Sequence, residues 1–227
     1  MGVKTIFKPV INPKTSHFGS NFWDGFSNKI NRDVNFYSDL EYEHWILVET
    51  NPLIVSFCEQ PKKIRDEYEG DWHESIFDMW IKWYNGKEEF IEIKYEKDVA
   101  DAKTRLTKRS NKIHIQLQIQ QSWCRRENYP YRLVTESDIR RQPELSNRKM
   151  FLPFIRGFEN IDEIVAQKVY NLITKEEKTI SELFNLSGID IFILNPILFY
   201  LYYQGKISID FEKAFYTNQS KVRKIHA

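Results

Sequence analysis

At 227 residues, 41% apolar and 15% aromatic, the chain can bury one large core or two modest ones. Its 33 basic and 32 acidic residues leave a net charge of +1, so it is not a protein that coats nucleic acid by bulk charge, and any phosphate contact must come from local patches. No signal-like start and no apolar run of membrane-spanning length is present, so a cytoplasmic protein that does not enter a membrane is expected; Cys58 and Cys124, without metal-ligand spacing, read as buried, reduced thiols.

Residues 1–37, rich in Asn, Pro, Lys and Gly and without a sustained period, predict an irregular arm packed on the following domain. From Ser38 the spacing of Leu40, His44, Leu47 and Val48 predicts a helix of about twelve residues, with Ser38 as N-cap and Glu41 completing a capping box. Asn51-Pro52 ends it, and residues 53–57 form a short β-rich run. Beyond the Glu59-Gln60-Pro61 turn, strands are expected at 63–68, 75–84 and 89–96, the last two joined by the hairpin signal Asn85-Gly86, giving an antiparallel meander. Ile113, Leu117, Ile119 and Cys124 mark a helix ending near Asn128, and 131–135 is another strand. The order implies an α/β core with a mixed sheet flanked by helices.

Two basic patches stand out. Lys97, Lys103, Arg105, Lys108, Arg109 and Lys112 read equally as a phosphate contact or a solvated helix face, and the tail Lys221, Arg223, Lys224 is the weaker candidate. From Arg148 a second unit begins, with helices at 161–173, 179–186 and 189–203 and a hairpin of 206–210 with 214–217. Three helices and a small β wing outline a C-terminal winged helix. Its third helix carries Phe192, Phe199, Tyr200, Tyr202 and Tyr203 but no Lys or Arg, which favours protein contact over base reading. The expected partition is an arm (1–37), a catalytic domain (38–147) and a winged-helix domain (148–227).

Phosphodiester hydrolysis needs an activated water, a hard cation and a positive group, which carboxylates plus one lysine can supply. Alternation along the strand around Glu92 puts Glu92, Lys94 and Glu96 on one face, and the Asn-Gly hairpin brings Asp78 of the preceding strand opposite Glu92. Asp78 sits among large apolar residues, where a carboxylate is costly unless paired or metal-bound. A cross-strand Asp78–Lys94 salt bridge is the plain alternative. His73 reads as a turn residue, His44 as a possible buttress for Glu41, and Glu43 as lying on another helix face.

Arg32-Asp33-Val34, Ser38-Asp39-Leu40-Glu41, residues 55–57 followed by Glu59-Gln60-Pro61, then Phe77-Asp78-Met79 and Ile91-Glu92-Ile93-Lys94 together resemble the TnsA family of transposon-end endonucleases, more loosely continued through residues 131–136. The resemblance implies a restriction-endonuclease-like PD-(D/E)xK core in which Glu41, Asp78, Glu92 and Lys94 are catalytic. It further implies Mg2+, replaceable by Mn2+, held by Glu41, Asp78, Glu92 and the Ile93 carbonyl, with Lys94 orienting or activating the water. Gln60-Pro61 is expected to brace the core. By resemblance the partners are double-stranded DNA at transposon ends, an integrase-type (TnsB-like) transposase subunit and an ATP-binding (TnsC-like) regulator, with cleavage of the 5′ strands in cut-and-paste transposition. Phe77 stands where the family usually has proline. A free-standing restriction or repair nuclease, and a winged-helix binding protein with a silent nuclease scaffold, are the rival readings.

Overall fold

The computed structural model describes residues 7–10 and 21–225, arranged as two compact units. The first comprises the described residues through Val48 and Ile54–Arg140; the second comprises Glu49–Leu53 and the chain from Arg141 onward.

The first unit opens with a hairpin, β1 (Trp23–Ser27) and β2 (Arg32–Phe36), in antiparallel register from Trp23↔Phe36 to Ser27↔Arg32. The expected irregular arm is corrected here. Val34 and Phe36 alternate with polar residues and are buried, so a period of two is present but too short to rise above the Asn- and Lys-rich surroundings. The rest of the arm's N-terminal half lies largely outside the described residues, except that Phe7 packs edge-on against Trp80 and Phe90.

Helix α1 (Asp39–Thr50) follows at the expected length, then β3 (Ile54–Glu59). β4 (Lys63–Tyr68) pairs with β5 (Asp71–Ile76) through a tight turn in which Glu69 and Gly70 both have positive φ, 52° and 89°. β5 and β6 (Met79–Trp83) replace the single strand expected over 75–84. The chain bends at Phe77-Asp78 and changes partners, leaving β4 for β3 and β7 (Glu88–Ile93). The meander therefore becomes two sheets, the ribbon β4-β5 and a sheet of order β3-β6-β7-β8, with β8 (Tyr131–Val134) parallel to β7. The Asn85-Gly86 turn joins β6 to β7 as its sequence requires, with Gly86 at φ 83°.

β7 ends at Ile93, so Glu96 does not share a face with Glu92. Instead Glu96 opens α2 (Glu96–Thr104), its backbone N–H donating to Glu136 at 2.7 Å. Arg105, at φ 54°, breaks the chain before α3 (Lys108–Arg126), which a Thr107/Ser110 capping box starts. α3 lays Ile119, Trp123 and Cys124 on Phe77, Trp80 and Phe90, all three fully buried and each worth about 1.5–3 kcal/mol for leaving water. Both cysteines are free and buried, and burial pushes each thiol up to about 12. The unit closes with the single turn α4 (Glu136–Ile139).

In the second unit, α5 (Glu144–Phe151) and a 3₁₀ segment (Leu152–Asn160) precede α6 (Glu163–Leu172), the short β9 (Lys178–Thr179), α7 (Ile180–Ser187) and α8 (Ile191–Tyr203). Thr179 caps α7 with Glu182 in a reciprocal box. β10 (Ile207–Ile209) pairs with β11 (Lys221–Lys224), which pairs with β9. The partner strand of β10 thus lies beyond the expected 214–217. That segment is a loop pinned by buried Asn147, whose amide donates to the Phe211 and Ala214 carbonyls at 2.8 Å each and accepts from the Tyr216 N–H at 2.9 Å. Among the described residues no single helix is long and apolar enough to cross a membrane.

Candidate active site

Glu41, Asp78, Glu92 and Lys94 all belong to the first unit and come together where α1, the β5–β6 bend and the end of β7 meet. Glu41 serves the helix cap. Its carboxylate accepts from the Tyr37 N–H at 3.1 Å and the Ser38 hydroxyl at 2.9 Å, while Ser38 Oγ accepts the Glu41 N–H at 3.2 Å. Gln60 Nε2 reaches the same carboxylate at 3.4 Å. Gln60 is thus more than a core brace: its φ of 38° turns the side chain toward Glu41, and its N–H is held by the Asp78 carbonyl at 3.0 Å.

Asp78 sits on the bend rather than in a ladder. One step beyond the Met79↔Ile91 pair, it faces Glu92, and Oδ2 accepts the Ile93 N–H at 2.7 Å. Glu92 is fully buried. Its Oε1 accepts from Gln116 at 2.6 Å and from the Lys94 ammonium, and its Oε2 accepts from Gln120 at 2.7 Å. The Lys94 ammonium also approaches the Ile93 carbonyl at 3.3 Å and Asp78 at 3.9 Å, so its principal partner is Glu92 and not the cross-strand aspartate.

The electrostatics follow from crowding three carboxylates, one fully buried and two half-buried, around one ammonium. Burial, then the Asp78 charge, pushes Glu41 up to about 7 and Glu92 up to about 8. Asp78 is also raised by burial, against the pull of Lys94 and the Ile93 N–H. For Lys94, burial works downward, but Glu92 and Asp78 outweigh it and hold the ammonium above its ordinary value. The cluster carries more negative charge than its lysine can neutralise, and it must bind protons or a cation.

Among the described residues no three acidic, histidine or cysteine side chains stand at a spacing that already encloses an ion. Both Glu92 oxygens already accept hydrogen bonds, and Glu41 is engaged by its cap. The donor chemistry nonetheless suits a hard cation, since every candidate ligand is an oxygen and the site has surplus negative charge.

Two residues that sequence reasoning missed hold Glu92 in place. Gln116 and Gln120 lie one helical turn apart on α3, and fully buried Gln120 also donates to Ser75 at 2.9 Å and accepts from Tyr131 at 3.0 Å. The signal was a pair of amides at i, i+4 within the stretch that buries Ile113, Leu117 and Cys124. His44 is buried but makes no hydrogen bond to Glu41, and its Nδ1 is without a partner among the described residues. Glu43 points away to Arg140 at 2.6 Å.

A mixed sheet flanked by helices, with acids and a lysine gathered where a strand bends, is a nuclease-like α/β core. Residues 51–136 match the family model described as TnsA-like endonuclease N terminal, in agreement with the resemblance read from the motifs, and the match points to a nuclease of the Tn7 transposase type. The matched segment contains Asp78, Glu92, Ile93 and Lys94, while Glu41 precedes it. No curated protein matches the chain.

Proposed function

We propose that this chain is the Mg2+-dependent DNA endonuclease subunit of a heteromeric transposase and cleaves the 5′ strands at transposon ends during cut-and-paste transposition. The observation that carries the proposal is the Glu41–Asp78–Glu92–Lys94 cluster, in which Glu92 is fully buried and the other three are partly exposed, and three of whose members lie inside the TnsA-like segment. Glu41, Asp78, Glu92 and the Ile93 carbonyl would hold Mg2+ or Mn2+. When bound, the ion supplies a polarised phosphate and a more acidic water.

The remaining work falls to the chain's own groups. Gln116 and Gln120 fix the Glu92 carboxylate, the Ile93 N–H fixes Asp78, and Gln60 steadies Glu41. Lys94, held charged by its acidic neighbours, stabilises negative charge developing on the phosphate rather than accepting a proton.

The order α6, β9, α7, α8, β10, β11 with sheet order β10-β11-β9 supports reading residues 148–227 as a winged helix that follows a catalytic domain at 38–147 in the chain. At the start of α8, Phe192 and Ile193 are exposed at 85% and 54%, which favours that module contacting a protein, an integrase-type transposase or an ATP-binding regulator, over reading base edges.

Calorimetry with MnCl2 and MgCl2 on the wild-type chain and on Asp78→Ala tests the proposal. Binding by the wild type that Asp78→Ala abolishes is expected, together with metal-dependent nicking of end-containing duplex once the partners are supplied. An inert scaffold is indicated if neither protein binds metal with or without duplex DNA. Robust nicking by the isolated chain would favour a free-standing nuclease.

A further inference from the structure

The basic stretch through α2 and α3 divides in two once its partners are known. Arg105 is held by Glu69 at 2.9 Å and Arg109 by Asp98 at 3.0 Å, so these guanidinium groups are already neutralised. Lys108 and Lys112 are exposed, and neither has an acidic partner among the described residues. Both line a groove of about 570 Å³ between β5 and the first half of α3, together with His73, Ser75, Gln116 and the Lys63–Glu74 ion pair at 2.6 Å, whose carboxylate its own lysine offsets.

The spacing gives the groove a direction. Lys108, Lys112, Gln116 and Gln120 form one i, i+4 row along α3, each step advancing about 6 Å. The row starts with two unpaired ammonium groups in solvent and ends with two amides on the Glu92 carboxylate. Gln116 belongs to both the groove wall and the acidic site, so a chain of phosphates following the row is delivered to that site.

We propose that the groove between β5 and α3 is a phosphodiester-backbone subsite, in which Lys112 and then Lys108 contact successive phosphates of the strand to be cleaved, beside its scissile phosphate. The proposal rests on the nuclease reading and adds the path of the substrate across the protein. The juxtaposition that carries it is unpaired positive charge at one end of the row and the acidic site at the other. An acidic peptide would be drawn by the same lysines but has no reason to be led to Gln116.

Each phosphate contact contributes about 0.9 to the slope of log K against log salt, hence roughly eightfold in affinity at about 0.1 M salt. The full chain is titrated, without divalent metal, against a short fluorescein-labelled duplex by anisotropy across a KCl series. Lys108→Ala/Lys112→Ala is expected to lower the slope by about 1.8 and the affinity by roughly sixtyfold. The control Lys97→Ala/Lys103→Ala removes the same charge from α2 and is expected to retain the wild-type slope.

A wild-type slope in the groove variant overturns the proposal. So does an equal loss in both variants, or the absence of salt-dependent binding by the wild type. Mn2+ calorimetry on the same proteins keeps the two levels apart. If wild type and groove variant bind Mn2+ alike while Asp78→Ala does not, a failed slope test removes only the subsite; if the wild type binds no Mn2+ with or without duplex DNA, the nuclease reading itself falls.

Discussion

Replacing Gln120 by leucine should be the most informative single change in the first unit. The two side chains are close in volume, so little cavity or overpacking cost is introduced. What changes is hydrogen bonding: Gln120 is fully buried, and its loss strips a donor from Glu92 Oε2 and from Ser75 Oγ and an acceptor from the Tyr131 hydroxyl. Each buried polar group left unsatisfied costs about 1–3 kcal/mol, so the Glu92 and Tyr131 groups by themselves should cost the variant about 2–6 kcal/mol. All six tryptophans lie between Trp23 and Trp123, so urea unfolding followed by tryptophan fluorescence reports on this unit alone. Adding Tyr131→Phe removes one of the stranded groups, and the double variant should cost about 1 kcal/mol less than the sum of the singles. A Gln120→Leu protein within about 0.5 kcal/mol of wild type at unchanged m-value would refute the reasoning, because it would mean that Glu92 does not depend on that amide.

Two further outcomes are expected. His44 is buried, and burial, then the Arg132 charge, holds it down to about 3. The unfolded chain therefore binds a proton that the folded one refuses; stability attributable to His44 is complete above pH 6.5 and falls by up to about 1.4 kcal/mol per unit as pH drops from there toward 3. The difference in unfolding free energy between wild type and His44→Leu should trace that slope, and a pH-independent difference would show that the histidine is accessible. In the second unit, Asn147→Leu removes three hydrogen bonds to the 211–216 loop and should cost about 3 kcal/mol or more. Hydrogen exchange should show the Tyr216 amide losing protection, and full protection in the variant would show that Asn147 is not what pins the loop.

Much of the architecture was legible in the sequence wherever a local signal was long or chemically specific. The Ser38–Glu41 cap, the Asn85-Gly86 turn and the Thr179 cap each specify their geometry within a few residues, and each is found where expected. The acid and lysine types of the candidate site were legible too, because Asp78 and Glu92 are conspicuous among apolar neighbours.

Tertiary structure decided what alternation cannot encode. A residue pattern of period two runs through Phe77-Asp78 without a break, and only competition between β4 and the β3–β7 edges for backbone hydrogen bonds makes the chain bend there and turn Asp78 toward Ile93. Likewise, nothing local tells that Gln116 and Gln120 face Glu92 across 24 and 28 residues of chain, or that Arg105 and Arg109 are neutralised while Lys108 and Lys112 are not. Periodicity fixes which face of an element is buried; which side chain of another element it meets is set by packing, and the chemistry of this site depends on those meetings.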